Sequence, residues 1–288
     1  MRHLIVGCGD VGRRIAKELI LKNVDPQTIV AFVLTSDSLQ KAQALGIKAH
    51  LLDLDGNVSD LAEFNNAYVY YTVPPQKSGH KDLRSRCLIR ELKQRGVTPQ
   101  KIALISTTGV YGDHNGEWVD ETSTLNPSTD RAKRRFDSEH VWSDFATLRD
   151  VSLVVLRVPG IYSNSRLPRE RIAKRTPVLK LSECGYSNRV HADDLAAICV
   201  CALALCRSIN VFNASDGSPG SITEYLQTVA AYLGEPPLPE LDLTSARNIL
   251  SAEMLSYLSE SRKISNTKLR NQLRYTFKYP DFREGIKH

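Results

Sequence analysis

Six residues constrain this chain more than any others: Gly7, Cys8, Gly9, Asp10, Val11 and Gly12. They follow the apolar run Leu4-Ile5-Val6 and precede an apolar stripe at Val11, Ile15 and Leu19 with helical spacing. The segment therefore reads as a strand, a glycine turn and a helix, the entry of a dinucleotide-binding βαβ unit. Each glycine has its own task. Gly7 permits the tight turn out of the strand, Gly9 lets backbone amides approach a pyrophosphate, and Gly12 lets the helix lie close to the strand. The first N–H groups of that helix and its partial positive charge then face the anion.

A chain of 288 residues with 42% hydrophobic content buries one large core, or one core with a smaller lobe. No apolar run approaches the roughly 20 residues that span a bilayer, and Met1-Arg2-His3 leads directly into a strand without a signal peptide. The expectation is a cytoplasmic protein with no membrane partner. The six cysteines form no CxxC pair, and Cys199 and Cys206 share an apolar helical face with Leu195, Ile198 and Ala202, so reduced core thiols are expected. Cys8 in the turn reads as a small space-filling residue. A net charge of +6 suits a binder of phosphorylated small molecules. The densest basic run, Arg131, Lys133, Arg134 and Arg135, has no interleaved aromatics; it reads as a solvated helix face, and nucleic acid is not an expected partner. The seven histidines are dispersed and no metal-ligand grouping occurs.

Strand and helix patterns alternate through the first 110 residues. Residues 28–34 read as a second strand, apolar on both faces. At its end an Asp or Glu would bind the adenosine 2′-hydroxyl and select NAD, whereas small polar residues accommodate the 2′-phosphate of NADP. This chain has Thr35 and Ser36 there, with Asp37 placed late enough to start the next helix. The cofactor is expected to be NAD(P), with a lean to NADP. Residues 47–52 read as a third strand leading to Asp53, which is placed either for an adenine contact or for a turn. A fourth strand over 67–73 ends in Pro74-Pro75, which stops the ladder where the cofactor lies and makes Thr72, Val73 and Pro74 candidate contacts. A covering helix over 80–95 with Leu83, Cys87, Leu88 and Leu92 on one face precedes a fifth strand over 101–106. The fold class is a doubly wound parallel α/β sheet.

Five stretches, in order, resemble the extended short-chain dehydrogenase/reductases, the superfamily of nucleotide-sugar epimerases and dehydratases. They are Gly7 to Gly12, ISTTGVYG at 105–112, NPSTDRAKRRFDSEHVW at 126–142, RVPGIYS at 157–163 and NRVHADDLAAI at 188–198, with VFNASDG at 211–217 as a weaker sixth. Members usually open with TGxxGxxG, so GxGxxG resembles an atypical subgroup that contains YeeZ-like proteins. The larger departure is catalytic. Counting from Pro127, the family's Tyr-x-x-x-Lys positions fall on Arg131 and Arg135. A tyrosine of pKa about 10 serves as an acid or base when an adjacent cation lowers that value, whereas arginine stays protonated. The family's serine/threonine position falls on Thr107, with Ser106 or Thr108 one step away in register.

Three readings of the arginines remain open: Arg131 and Arg135, one helical turn apart, bind an anion while another residue moves the proton; the site binds a dinucleotide without turnover; or they are solvated surface. Tyr111 is the first candidate for the proton, with Tyr162, also a candidate substrate contact, behind it. By resemblance, Arg189 contacts a substrate pyrophosphate, Asp193 and Asp194 complement a helix N-terminus, and His191 packs. Residues 1–162 and 186–214 are expected to form the NAD(P)-binding domain. Residues 163–185 and 215–288 are expected to form a small, mostly helical substrate lobe, with a capping box at Ser221 to Glu224 and helices over 222–233, 245–258, 267–273 and 281–286. The resemblance implies an oxidoreductase or epimerase-like enzyme acting on a hydroxyl or carbonyl of a small anionic or nucleotide-linked substrate, as a monomer or homodimer; the alternative is a non-catalytic dinucleotide sensor.

Overall fold

The computed structural model describes residues 1–56, 58, 61–249 and 260–288. Its central sheet has seven strands: β1 (His3–Val6), β2 (Ile29–Val33), β3 (Lys48–Leu51), β4 (Tyr68–Tyr71), β5 (Lys101–Thr107), β6 (Ser152–Val158) and β7 (Asn210–Asn213). Their order is β7-β6-β5-β4-β1-β2-β3, with β1 to β5 paired in parallel. The order reverses at β1, so the turn after β1 lies at the switch point where such sheets bind ligands. β2 is buried along its whole length, as its unbroken apolar run requires.

The connecting helices are α1 (Asp10–Leu21), α2 (Ser36–Gln43), α3 (Leu83–Gln94), α4 (Asp130–Arg149) and α5 (Ala192–Leu205). The buried stripe of α1 is Gly12, Ile15, Ala16 and Leu19; Val11 is only half-buried, one position off the expected face. On α3 the buried residues are Ser85, Leu88, Ile89 and Leu92. Leu83, expected inside, is 57% exposed, because Asp82 caps the helix and turns its first residue outward. A buried polar relay docks α3 on α4: the Asp82 carboxylate accepts the Ser85 hydroxyl at 2.8 Å, and Ser85 Oγ lies 2.9 Å from Ser138 Oγ and accepts Trp142 Nε1 at 3.1 Å. At the other end of the sheet, Lys101 donates to the carbonyls of Leu203, Ala204 and Cys206 at 2.9 to 3.0 Å. Its cation satisfies the exposed carbonyl end of α5.

The chain divides into two units, residues 1–110, 127–157 and 195–212 in the first and residues 111–126, 158–194 and 213–288 in the second. These boundaries differ from the expected ones because short strands draw flanking segments into the second unit. Gly160–Tyr162 pairs in parallel with Arg189–His191, and Trp118–Val119 with Lys263–Ile264. The second unit has its own apolar core around Tyr162, Tyr225, Leu226, Val229 and Phe282. Its helix Ile222–Tyr232 starts in the expected capping box, with Glu224 N donating to Ser221 Oγ at 2.9 Å. Helices Thr267–Leu273 and Phe282–Gly285 also match expectation. The helix expected over 245–258 is seen as Leu243–Ile249, and residues 250–258 lie outside the described residues. Among the described residues no helix is long and apolar enough to cross a membrane. All six cysteines are free thiols.

Candidate dinucleotide site

The glycine turn has the geometry its sequence anticipates. Gly7 adopts φ +90°, and a Cβ there would stand 2.9 Å from both the backbone nitrogen and Cγ2 of Val73. A Cβ on Gly12 would meet Ile5 Cγ2 at 3.0 Å, which is the close packing of α1 on β1. Gly9 differs from both: its Cβ would meet nothing nearer than the Gly7 carbonyl at 3.9 Å. The protein itself does not require a glycine at this point, and the space beside it is open. Gly9 is the N-cap residue of α1 and offers no side chain to cap the first N–H groups; the helix's own bonds begin with Arg13 N to Gly9 O. That combination is the kind of helix start that suits an anion, a candidate cradle. Cys8 is fully buried under the turn, and burial pushes its thiol up to about 11, so it fills space as expected. Asp10, in the first turn, pairs with Arg14 at 3.3 Å.

The residues after β4 form the wall of this cradle. Thr72 Oγ1 donates to the Gly7 carbonyl at 2.6 Å, and Val73 limits the space at Gly7. The Pro74 carbonyl accepts Arg84 Nη1 at 2.9 Å, and Arg84 also grips Asp55, holding that carboxyl below its usual range. From α4, Arg135 Nη1 donates to the Val73 carbonyl at 3.1 Å. The fragment thus gathers the glycine turn, Thr72, Val73 and Arg135 at the carboxyl edge of β1 and β4. At the end of β2, Thr35 is the N-cap of α2 and accepts Ser38 N at 3.3 Å, with Ser36 the first helical residue. The helix start assigned by sequence to Asp37 belongs to Thr35; Asp37 pairs instead with Lys41 at 2.6 Å. Asp53 is exposed and accepts Asp55 N at 2.9 Å, the turn alternative.

At the end of β5, Ser106 and Thr108 are buried while Thr107 is half-buried. Thr107 Oγ1 accepts Gly109 N at 3.2 Å, an arrangement that leaves its proton for an outside acceptor. Ser106 points elsewhere: its hydroxyl donates to Glu139 Oε1 at 2.5 Å, and Glu139 receives Arg157 Nη2 at 2.9 Å and Nε at 3.2 Å. This buried ion pair was not anticipated. The signal was present in Arg157 itself, a charge inside the apolar run of β6 that demands a carboxylate.

The basic run on α4 is not uniformly solvated. Arg131 is exposed, but Arg134 is 7% exposed and donates to the Gly79 carbonyl at 2.7 Å, and Arg135 is half-buried. Burial draws the Arg135 pKa below its usual value, and the guanidinium remains a cation. The expectation of a solvated face fails because the carbonyls of the loop after β4 give these side chains inward partners.

In the second unit, Tyr111 is fully buried and its hydroxyl donates to Asn213 Oδ1 at 2.7 Å. Asn213 in turn receives support from Glu121 at its backbone N–H and donates to the Ser265 carbonyl. This committed, buried proton makes Tyr111 an anchor and removes the basis for its expected proton role. Replacing Tyr111 by Phe is expected to cost about 1–2 kcal/mol of stability in urea unfolding by orphaning the amide oxygen, with dinucleotide affinity unchanged. Unchanged stability would contradict the anchor. Tyr162 is 1% exposed, packed edge-on against His191 and Tyr225, with its hydroxyl against Gly285. Burial raises its pKa, so it too belongs to the core and not to a substrate surface. His191 packs tilted against Tyr279, ring centroids 4.0 Å apart, and accepts Asp193 N, the expected packing role. Asp194 does more than complement a helix: it accepts the Tyr275 hydroxyl and the backbone N–H groups of Lys278 and Tyr279. Arg189 is 5% exposed with its guanidinium 3.9 Å from the Tyr225 ring centroid.

No family model matches the sequence, and no curated protein does. Solved structures match the fold over nearly the whole chain. A conserved protein of unknown function from Silicibacter pomeroyi is 25% identical with a TM-score of 0.85, covering 99% of this chain and 96% of its own. A structure described as an NAD-dependent epimerase/dehydratase from Methylobacillus flagellatus is 22% identical, TM-score 0.71, covering 99% and 95%. The UDP-glucose 4-epimerase of Thermus thermophilus, in complex with NAD, is 21% identical, TM-score 0.74, covering 100% and 97%.

Proposed function

We infer, for a chain with the extended short-chain dehydrogenase/reductase fold in an atypical, NAD-dependent epimerase/dehydratase-like form, that it binds a nicotinamide dinucleotide on the Gly7–Gly12 turn. It uses that cofactor to act on a hydroxyl or carbonyl of a small anionic or nucleotide-linked substrate. The observation that carries this reading is the cradle: Gly7 and Gly12 are required by the fold, whereas Gly9 is open and faces an uncapped helix end. The neighbours described as binding NAD and UDP-sugars support the same ligand class.

When bound, the dinucleotide supplies the hydride acceptor or donor. This chain's own residues have narrower tasks. Thr72 and Val73 wall the pyrophosphate region, Arg135 brings a cation to it from α4, and Thr107 offers a hydroxyl to orient a substrate oxygen. Within the second unit, Arg189, its guanidinium over the Tyr225 ring, is the candidate cation for a substrate phosphate. Thr35 and Ser36 follow β2 where a diol-binding carboxylate would stand, and Asp37 is occupied by Lys41. The reading therefore favours NADP over NAD.

A second reading is a dinucleotide-binding protein without turnover. Arg131 and Arg135 at the Tyr and Lys positions, and the committed hydroxyl of Tyr111, favour it. Calorimetric titration with NAD, NADH, NADP and NADPH separates these outcomes. Micromolar affinity, about −8 kcal/mol, is expected for the NADP pair and at least tenfold weaker affinity for the NAD pair. Absence of binding by all four would overturn both readings. UDP-sugar turnover by the loaded protein then distinguishes enzyme from sensor.

A further inference from the structure

The parallel pair Trp118–Val119 and Lys263–Ile264 in the second unit has two unlike faces. Strand alternation sends Val119 (1% exposed) and Ile264 (0%) inward. Trp118, directly opposite Lys263, is left 52% exposed, so an indole that would ordinarily be buried faces solvent. Beside it is a cavity of about 390 Å³ lined by Trp118, Val119, Asp120, Ser123, Ser265 and Thr267, within the range that holds a small organic ligand. Lys263 Nζ stands 5.6 Å from the Trp118 ring centroid and 5.0 Å from that of Tyr186, itself 47% exposed.

The polar groups are arranged to leave ligand capacity. Asp120 Oδ1 is occupied by Thr122 N at 2.9 Å, Thr122 Oγ1 at 2.7 Å and Ser123 Oγ at 3.2 Å. These bonds hold the carboxyl below its usual pKa, so an ionised acceptor lines the cavity. Ser265 Oγ donates to Thr267 Oγ1 at 3.0 Å, which leaves the Thr267 proton to donate outward. A flat aromatic face, one carboxylate acceptor, one hydroxyl donor and one ammonium suit a specific chemistry. A purely apolar occupant would strand Asp120 and Thr267 without partners. A phosphate would meet the Asp120 carboxylate. A neutral pyranose suits these groups: it offers a C–H face to the indole and vicinal hydroxyls to the carboxylate and the threonine.

We propose that this cavity is a saccharide-binding subsite in which Trp118 stacks on a neutral pyranose ring and Asp120 and Thr267 bind its hydroxyls. It stands apart from the dinucleotide reading, since none of its residues lies in the glycine turn, and it implies that a sugar unit without a charged group is recognised by the second unit.

The chain's tryptophan content makes the test direct. Of its two tryptophans, Trp142 is fully buried and Trp118 is half-exposed, so a ligand on the cavity alters only the Trp118 emission. Titration of the full chain with methyl β-glucopyranoside is expected to give a saturable blue shift with a dissociation constant of about 1 mM. Asp120→Asn is expected to weaken it at least about fivefold, the loss of one charge-assisted hydrogen bond. Trp118→Ala, read by saturation-transfer NMR of the sugar because it removes the fluorophore, is expected to abolish binding while NADPH affinity stays unchanged. No saturable shift with the glucoside overturns the proposal. So does an equal response to cyclohexanol, which would mark an unspecific apolar patch, or to inorganic phosphate, which would mark an anion site. Loss of NADPH binding by the wild-type chain bears on the dinucleotide reading alone.

Discussion

Glu139→Ala is expected to lower the stability of the first unit by about 3–5 kcal/mol. Glu139 is 6% exposed and receives both Arg157, 5% exposed, and the Ser106 hydroxyl. Removing the carboxylate takes from the buried Arg157 guanidinium the counter-charge that Glu139 supplies, and that change accounts for most of the loss. The pair's own net contribution is smaller than the loss on breaking it, since desolvation opposes the attraction. The double variant Glu139→Ala, Arg157→Met is therefore expected to recover most of the stability. Urea unfolding followed by circular dichroism measures both. A single variant within about 1 kcal/mol of the parent, the range of an exposed pair, would show that water reaches Arg157. The expected consequence for function is indirect: Ser106 adjoins Thr107, and Glu139 lies one turn after Arg135 on α4, so the ion pair fixes two elements that carry candidate site residues.

The parts of the fold that were legible in the sequence are those where one residue has one physical reason to be there. Gly7 and Gly12 are glycines because a Cβ would strike Val73 and Ile5; β2 is unbroken Ile-Val-Ala-Phe-Val because both its faces are covered; Ser221 and Glu224 form a capping box because two N–H groups need acceptors. Where a residue had two plausible partners, sequence could not choose. Arg134 and Arg135 read as solvated because their acceptors are backbone carbonyls of Gly79 and Val73, more than fifty positions earlier, and carbonyls leave no mark in a sequence. Tyr111 read as a free phenol for the same reason: its acceptor, Asn213, lies about a hundred residues later. The division into units was displaced by strands of two or three residues, too short for any periodicity to announce. Long-range polar pairing, more than burial of apolar surface, is what the sequence concealed.

The sharpest functional prediction follows from the difference among the three glycines of the turn. Gly9→Leu is expected to cost only about 1 kcal/mol of stability, that of a poorer N-cap, because beyond its chain neighbours the nearest atom to its Cβ is 3.9 Å away, and to weaken NADPH binding at least about 100-fold, about 2.7 kcal/mol, because the added side chain occupies the approach to the N-terminus of α1. Gly7→Leu must behave differently. It places a side chain at φ +90° against Val73 and is expected to cost about 1–3 kcal/mol of stability as well as binding. Differential scanning calorimetry and calorimetric titration of the two variants read both quantities. A structural turn with no ligand would make Gly9→Leu silent in the binding titration. Only a turn shaped around an external anion makes the substitution that the fold tolerates best the one that binding tolerates least. Gly12→Leu should fall with Gly7→Leu, since its neighbour is Ile5 of β1, so that loss of stability sorts the glycines the chain needs for itself from the one it holds open for a ligand.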